Sequence, residues 1–103
     1  MRDLSAFQRD ILYVVAGEDV PYGLAIKRGL EEYYGTEVNH GRLYPNLDDL
    51  VQAGLLEKSE LDKRTNRYGL TEHGRAVIDS RRTWEHENLE RYDAETRSGE
   101  AEA

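Results

Sequence analysis

Apolar residues return at helical spacing in four stretches of this chain and loosely alternate in a short region between the third and the fourth. Phe7, Ile11, Leu12, Val14 and Val15 form the first helical face. Ser5 and Gln8 precede and open it at capping-box spacing. The run should end near Ala16–Gly17, with Gly17 supplying a left-handed cap. Pro21 then stands just before a second helix, Tyr22 to Tyr34, whose apolar positions are Leu24, Ile26, Leu30 and Tyr33/Tyr34. Gly35 stops it. Residues 35–37 make a tight connection, and Asn39 is placed to cap a third helix, His40 to Ala53. Leu43, Leu47, Leu50 and Val51 are its stripe. Pro45 removes one backbone donor in its second turn, which bends a helix without abolishing it. Gly54 closes it.

Leu55 to Leu61 and Arg67 to Leu70 read as two short strands around a five-residue polar tip, Asp62 to Asn66, hence a β-hairpin. Thr71 caps a long last helix running to about Ala94. The order helix, helix, tight turn, helix, hairpin, long helix predicts a mainly α chain with a small hairpin (α+β), a winged helix-turn-helix. The expected division is a winged domain over residues 1–71, a C-terminal dimerisation helix over 72–95, and a disordered acidic tail over 96–103.

In such a fold the second helix of the pair enters the major groove by its N-terminal half. Asn39, His40, Gly41, Arg42, Tyr44 and Asn46 are therefore the candidate readers. Arg pairs bidentately with guanine and Asn with adenine, and a glycine permits close backbone approach. The bland alternative is a surface helix that Asn39 merely caps. The wing candidates are Lys63, Arg64, Thr65, Asn66 and Arg67, with Arg64 suited to the minor groove and Lys63 and Arg67 to phosphates. Taken alone, that tip is also an ordinary solvated turn.

On the last helix Val77, Ile78, Arg81, Trp84, Asn88, Leu89 and Tyr92 lie near one stripe amid dense charge. A helix that outruns a small core needs a cover for its far half, and a second copy is the economical one. Phe7 and Ile11 could line the same interface; the alternative is that the helix folds back on its own first helix.

Charge complicates a DNA reading. Fourteen Lys and Arg face twenty-one Asp and Glu among 103 residues, for a net charge of −7. Only Lys27, Lys58 and Lys63 are lysines; the other basic residues are arginines. Acid excess with few lysines is a habit of proteins from salt-in halophiles. An acidic chain also suits a winged-helix module that binds protein and not DNA. The discriminator is whether Arg42, Lys63, Arg64 and Arg67 share an exposed face free of carboxylates.

Enzyme chemistry finds no support. There is no cysteine, which removes disulfides, thiolate metal sites and thiol redox sensing. His40, His73 and His86 share no metal spacing, and no nucleophile elbow or phosphate loop occurs. No metal or cofactor is expected. No apolar run approaches the ~20 residues of a membrane span, and Met1 to Asp10 holds no secretory core, so the chain is expected to be cytoplasmic.

Several stretches together resemble the PadR family of winged-helix transcription regulators: Tyr22-Gly-Leu-Ala-Ile-Lys27, Gly41-Arg-Leu-Tyr-Pro45 followed by Leu47, Leu50 and Gly54-Leu-Leu56, and Arg67-Tyr68 leading to Leu70-Thr-Glu-His-Gly74. The resemblance covers about residues 5–80, and the single C-terminal helix is similar to the family's short-form branch. It implies a homodimer binding double-stranded DNA at a pseudo-palindromic operator, usually as a repressor, and often under control of small molecules or stress. It identifies no inducer here, and the family's phenolic-acid binding has no discernible counterpart in these residues.

Overall fold

Ser5 opens the first helix reciprocally: its hydroxyl accepts from Gln8 N at 3.1 Å, and Gln8 Oε1 accepts from Ser5 N at 3.2 Å. The structure, a computed structural model, describes residues 3–102. Its helices are α1 (Ala6–Gly17), α2 (Gly23–Tyr34), α3 (His40–Gln52) and α4 (Glu72–Glu102), with a hairpin of β1 (Leu56–Asp62) and β2 (Thr65–Leu70) before the last. The predicted order holds throughout.

The stops are mostly those expected. Gly35 and Gly54 take left-handed φ values of 72° and 77°, which let the chain turn out of α2 and α3. Gly17 does not: α1 ends with extended backbone at Glu18, whose N–H bonds the carbonyl of Val14. The following polar turn and Pro21 redirect the chain without a left-handed residue. Asn39 caps α3 by accepting from Gly41 N at 2.6 Å, and α3 runs through Pro45. Glu31 fastens the connection between α2 and α3. Its carboxylate accepts from Lys27 Nζ and from Val38 N, both at 2.8 Å, and these bonds hold its carboxyl below the usual range.

The core joins all three helices of the domain, the foot of the wing and the start of α4. Phe7, Ile11, Leu12, Val15, Ile26, Leu30, Val38, Leu43, Leu47, Leu50, Leu55, Leu56, Tyr68 and Ile78 are buried. Three of these correct the expected dimer surface. Phe7, Ile11 and Ile78 are buried in the chain's own core, because α1 lies against α3, β2 and the base of α4.

Two other corrections concern boundaries. The hairpin tip is two residues, Lys63 and Arg64: Asp62 pairs with Thr65, so Asp62 belongs to β1, and Thr65 and Asn66 join Arg67, expected there, in β2. Asp62 Oδ1 accepts from Arg64 N at 2.9 Å, which closes the shorter turn. An irregularity between Glu60 and Asp62 shifts the register there. The expected tail is helical through Glu102, while Met1, Arg2 and Ala103 lie outside the described residues. Ala and Glu are good helix formers and no proline interrupts them, so acidity alone did not end the helix.

α4 is anchored at its base. Thr71 Oγ1 donates to Gly54 O at 2.6 Å and accepts from Gly74 N at 3.0 Å. Gly74 packs directly on the carbonyl of Leu55, which itself accepts from Thr71 N. Gly74→Ala therefore sets a methyl against backbone that cannot turn aside. Overpacking of this kind costs ~1–3 kcal/mol, more than the ~0.5–1 kcal/mol that alanine gains over glycine in a helix. A lowered melting temperature in molar KCl is expected; an unchanged one would refute this packing.

Candidate nucleic-acid interface

α3 turns Leu43, Leu47 and Leu50 into the core and leaves Asn39, His40, Gly41, Arg42 and Tyr44 exposed, as helical periodicity required. His40 and Tyr44 stack at 5.7 Å with their planes 11° apart. The Arg42 guanidinium lies 3.9 Å over the Phe7 ring. Phe7 in turn stacks on Tyr34, whose hydroxyl donates to Asp10 Oδ2 at 2.5 Å. Burial and that carboxylate push the Tyr34 phenol up to about 12, so its hydroxyl keeps its proton, and its role as donor, at any ordinary pH. Arg42 thus rests on the Phe7 ring of α1, which the ring of Tyr34 from α2 backs.

Asn46 departs from its expected role. Its Oδ1 accepts from Gln8 Nε2 at 3.0 Å, and its Nδ2 donates to Arg42 O at 2.7 Å. Both polar ends of its amide are engaged by the protein's own groups, one of them at the surface, so it is not poised to read a base. Asn39 similarly commits its oxygen to capping.

The wing lies beside this helix. Tyr68 N donates to Pro21 O at 2.9 Å, and Tyr22 pairs with Arg67, which ties β2 to the entry of α2. Between them Tyr22, Gly23, Leu24, Tyr44, Arg64, Thr65, Asn66 and Tyr68 line a cleft of about 250 Å³. Tyr44 from α3 and Arg64 from the wing tip therefore face one space. Sequence reasoning missed the third wall, Tyr22 to Leu24. Gly23 is bare because Tyr44 Oη packs where its Cβ would be. Only a fold-level juxtaposition could have revealed that.

Lys63, Arg64, Asn66 and Arg67 are exposed and Thr65 half-buried. Among the described residues, Arg42, Lys63, Arg64 and Arg67 form no ion pair. Carboxylates are near but partly occupied. Asp62 is turned onto the Arg64 amide, and Asp48 lies 4.0 Å from Lys58. Glu37 is exposed beside His40, at the mouth of a groove with Lys27. The described residues contain no group of three or more His, Asp or Glu able to hold a metal ion, and no helix long and apolar enough to cross a membrane.

The second feature is the far half of α4. Trp84, Leu89 and Tyr92 are 55%, 61% and 63% exposed. Val77 is half-buried at the core's edge, and Arg81 lies 4.6 Å over the Trp84 ring. Asn88 spends its amide on its own helix, donating to Trp84 O at 2.8 Å and accepting from Arg91 at 2.9 Å. Asp3, Leu4, Arg9, Val77, Ser80, Arg81 and Trp84 line an open hollow of about 310 Å³ where α4 leaves the core.

The chain as a whole is similar to proteins of known structure and sequence. The structure of Halobacterium salinarum RosR grown from NaBr is 54% identical, with a TM-score of 0.78 over 95% of this chain and 97% of that one. RosR in its complex RosR-SG is 64% identical over 84% of this chain and 77% of that one, with a TM-score of 0.80. The transcriptional activator GvpE of Haloferax mediterranei is 33% identical over 54 residues, which are 52% of this chain but 28% of GvpE. This chain thus matches under a third of that relative's length. Both organisms are haloarchaea, in keeping with the acid-rich, lysine-poor composition. The profile of the Transcriptional regulator PadR-like family matches residues 11–80, well over half of the sequence. With its helix-turn-helix, its wing and its long last helix in the arrangement described, this chain belongs to the PadR-like family of transcriptional regulators.

Proposed function

We propose that this chain is a sequence-specific DNA-binding regulator, a homodimer that sets α3 in successive major grooves and its wings against the flanking backbone. The observation that carries the reading is the shared cleft, in which Tyr44 of α3 and Arg64 of the wing face one space; Arg42, Lys63, Arg64 and Arg67 are exposed on these same two elements and form no ion pair among the described residues. His40, Gly41, Arg42 and Tyr44 read or approach bases, while Lys63, Arg64 and Arg67 meet phosphate or the minor groove. The alternative, a winged module that binds only protein, does not call for exposed cations without ion-pair partners on both the second helix of the pair and the wing tip. Repression is the mode that the family resemblance favours, and the exposed stripe on α4 is the dimer seam.

Arg42 must leave Phe7 to reach a base. A cation–π contact at an exposed site is worth about 0.5–1 kcal/mol, whereas a bidentate guanine contact discriminates by about 1–3 kcal/mol. The exchange therefore runs toward DNA. Arg42→Ala should cost ~1–3 kcal/mol on the preferred sequence and relax choice at one position. Arg64→Ala should weaken binding evenly across sequences. Competition binding in molar KCl decides this: an Arg42→Ala protein with an unaltered sequence ranking would remove α3 from base reading.

A further inference from the structure

The amide of Gln8 is used at both ends. Oε1 accepts from Ser5 N at 3.2 Å, Nε2 donates to Asn46 Oδ1 at 3.0 Å, and Asn46 Nδ2 donates to Arg42 O at 2.7 Å. The outer members have fixed polarity, since a backbone N–H only donates and a carbonyl only accepts. Flipping either amide breaks the series. Each side chain therefore has one orientation, running from the N-cap of α1 to the exposed turn of α3.

The location of this series matters. Pro45 has no N–H, so the carbonyl of Gly41 lacks its helical donor inside α3. The backbone ladder is weakest under Arg42 and Tyr44, where a reader must be firmest. Asn46 adds a donor at the neighbouring carbonyl, and Gln8 holds that donor from α1. Leu43, Leu47 and Leu50 keep α3 against the core, but apolar contact is non-directional and tolerates small rotations of the helix about its axis. A hydrogen bond weakens steeply once its angle falls below ~120°, so the series opposes that rotation.

We propose that Gln8 and Asn46 are positioning residues that fix the rotation of α3 against α1, and with it the base edges that Arg42 and Tyr44 address. This rests on the DNA-reading role proposed above. Neither residue touches DNA; both act through the helix they hold.

Gln8→Met and Asn46→Leu keep side-chain bulk and lose the bonds. Tyr34→Phe is the control, because it removes the bond to Asp10 between α2 and α1 and leaves the series whole. Hydrogen exchange followed by NMR reads the geometry without DNA. Protected Asn46 side-chain amide protons are expected in the wild type and in Tyr34→Phe, and their loss in Gln8→Met. Exposed protons in the wild type would overturn the series itself.

The second readout is the ratio of affinities for a duplex that the wild type selects from a random pool and an unrelated duplex of equal length. Gln8→Met and Asn46→Leu should each lower the ratio about tenfold, the discrimination of one base pair, with the unrelated duplex bound as before. The double variant should be no worse than the weaker single, since the two act in series. Tyr34→Phe should lose thermal stability and keep the ratio. An unchanged ratio in Gln8→Met, or an equal fall on both duplexes, would overturn the positioning role while leaving DNA reading in place. A wild type that selects no sequence would overturn the DNA reading, and this role with it.

Discussion

Trp84→Asp or Leu89→Asp should convert a dimer into a monomer. α4 is 31 residues long, ~46 Å at 1.5 Å per residue, and the molecule extends over 64 × 29 × 23 Å. Only its base meets the core, through Gly74, Val77 and Ile78. Beyond that, Trp84, Leu89 and Tyr92 hold large apolar area in water on a helix otherwise laced with ion pairs such as Arg75–Asp79 and Arg81–Glu85. A second α4 would cover that stripe and the hollow beside Trp84 together. A carboxylate set there would be buried without a partner, at a cost of several kcal/mol. Light scattering should then report 11.9 kDa in place of twice that mass. Operator affinity should fall steeply with it, because two half-sites are no longer bound jointly. An unaltered dimeric mass would take α4 out of the interface.

The second large effect concerns salt. A usual DNA binder releases condensed cations from phosphates, and its affinity drops steeply as salt is added. Here the net charge is −7, and the proposed interface relies on only four cationic side chains, Arg42, Lys63, Arg64 and Arg67. Glu37 stands exposed beside His40 at the start of α3, while Asp48 and Asp62 are partly held by Lys58 and by the Arg64 amide. The Debye length falls from ~30 Å at 0.01 M to ~3 Å at 1 M, so repulsion between these carboxylates and phosphates fades with salt. Cations drawn in between them offset those released. The slope of log affinity against log KCl should be flat or positive up to molar concentrations. Glu37→Gln should make it more negative, and by more than Asp48→Asn or Asp62→Asn, whose carboxylates already have partners. A wild-type slope as steep as that of an ordinary basic repressor would refute this.

Local signals carried the fold a long way. Ser5 and Gln8, Asn39, Gly35, Gly54 and Thr71 each act within four residues of themselves, and each terminates or starts the element expected of it. Gly17 misled because a glycine permits a left-handed residue without requiring one. The wing tip misled because Thr65 and Asn66, polar and turn-prone, are drawn into β2 by pairing with Asp62 and Glu60. Phe7, Ile11 and Ile78 are apolar in the same way whether they face a core or a partner, and only the packing of α1 against the base of α4 tells the two apart. Asn46 looked like a reader because nothing near it in sequence betrays Gln8, thirty-eight positions away. Separation along the chain likewise hid the wall formed by Tyr22 to Leu24, which meets Tyr44 and Arg64 only once the chain is folded.

One selection experiment bears most directly on the reading of this protein as a dimeric DNA reader. The full chain is incubated with a pool of random duplexes in molar KCl, and the bound fraction is sequenced over several rounds. Two inverted half-sites with centres about one helical turn, or a multiple of it, apart should emerge, as two recognition helices on a twofold dimer require. Failure to enrich any sequence, or enrichment of a lone asymmetric half-site, would contradict it.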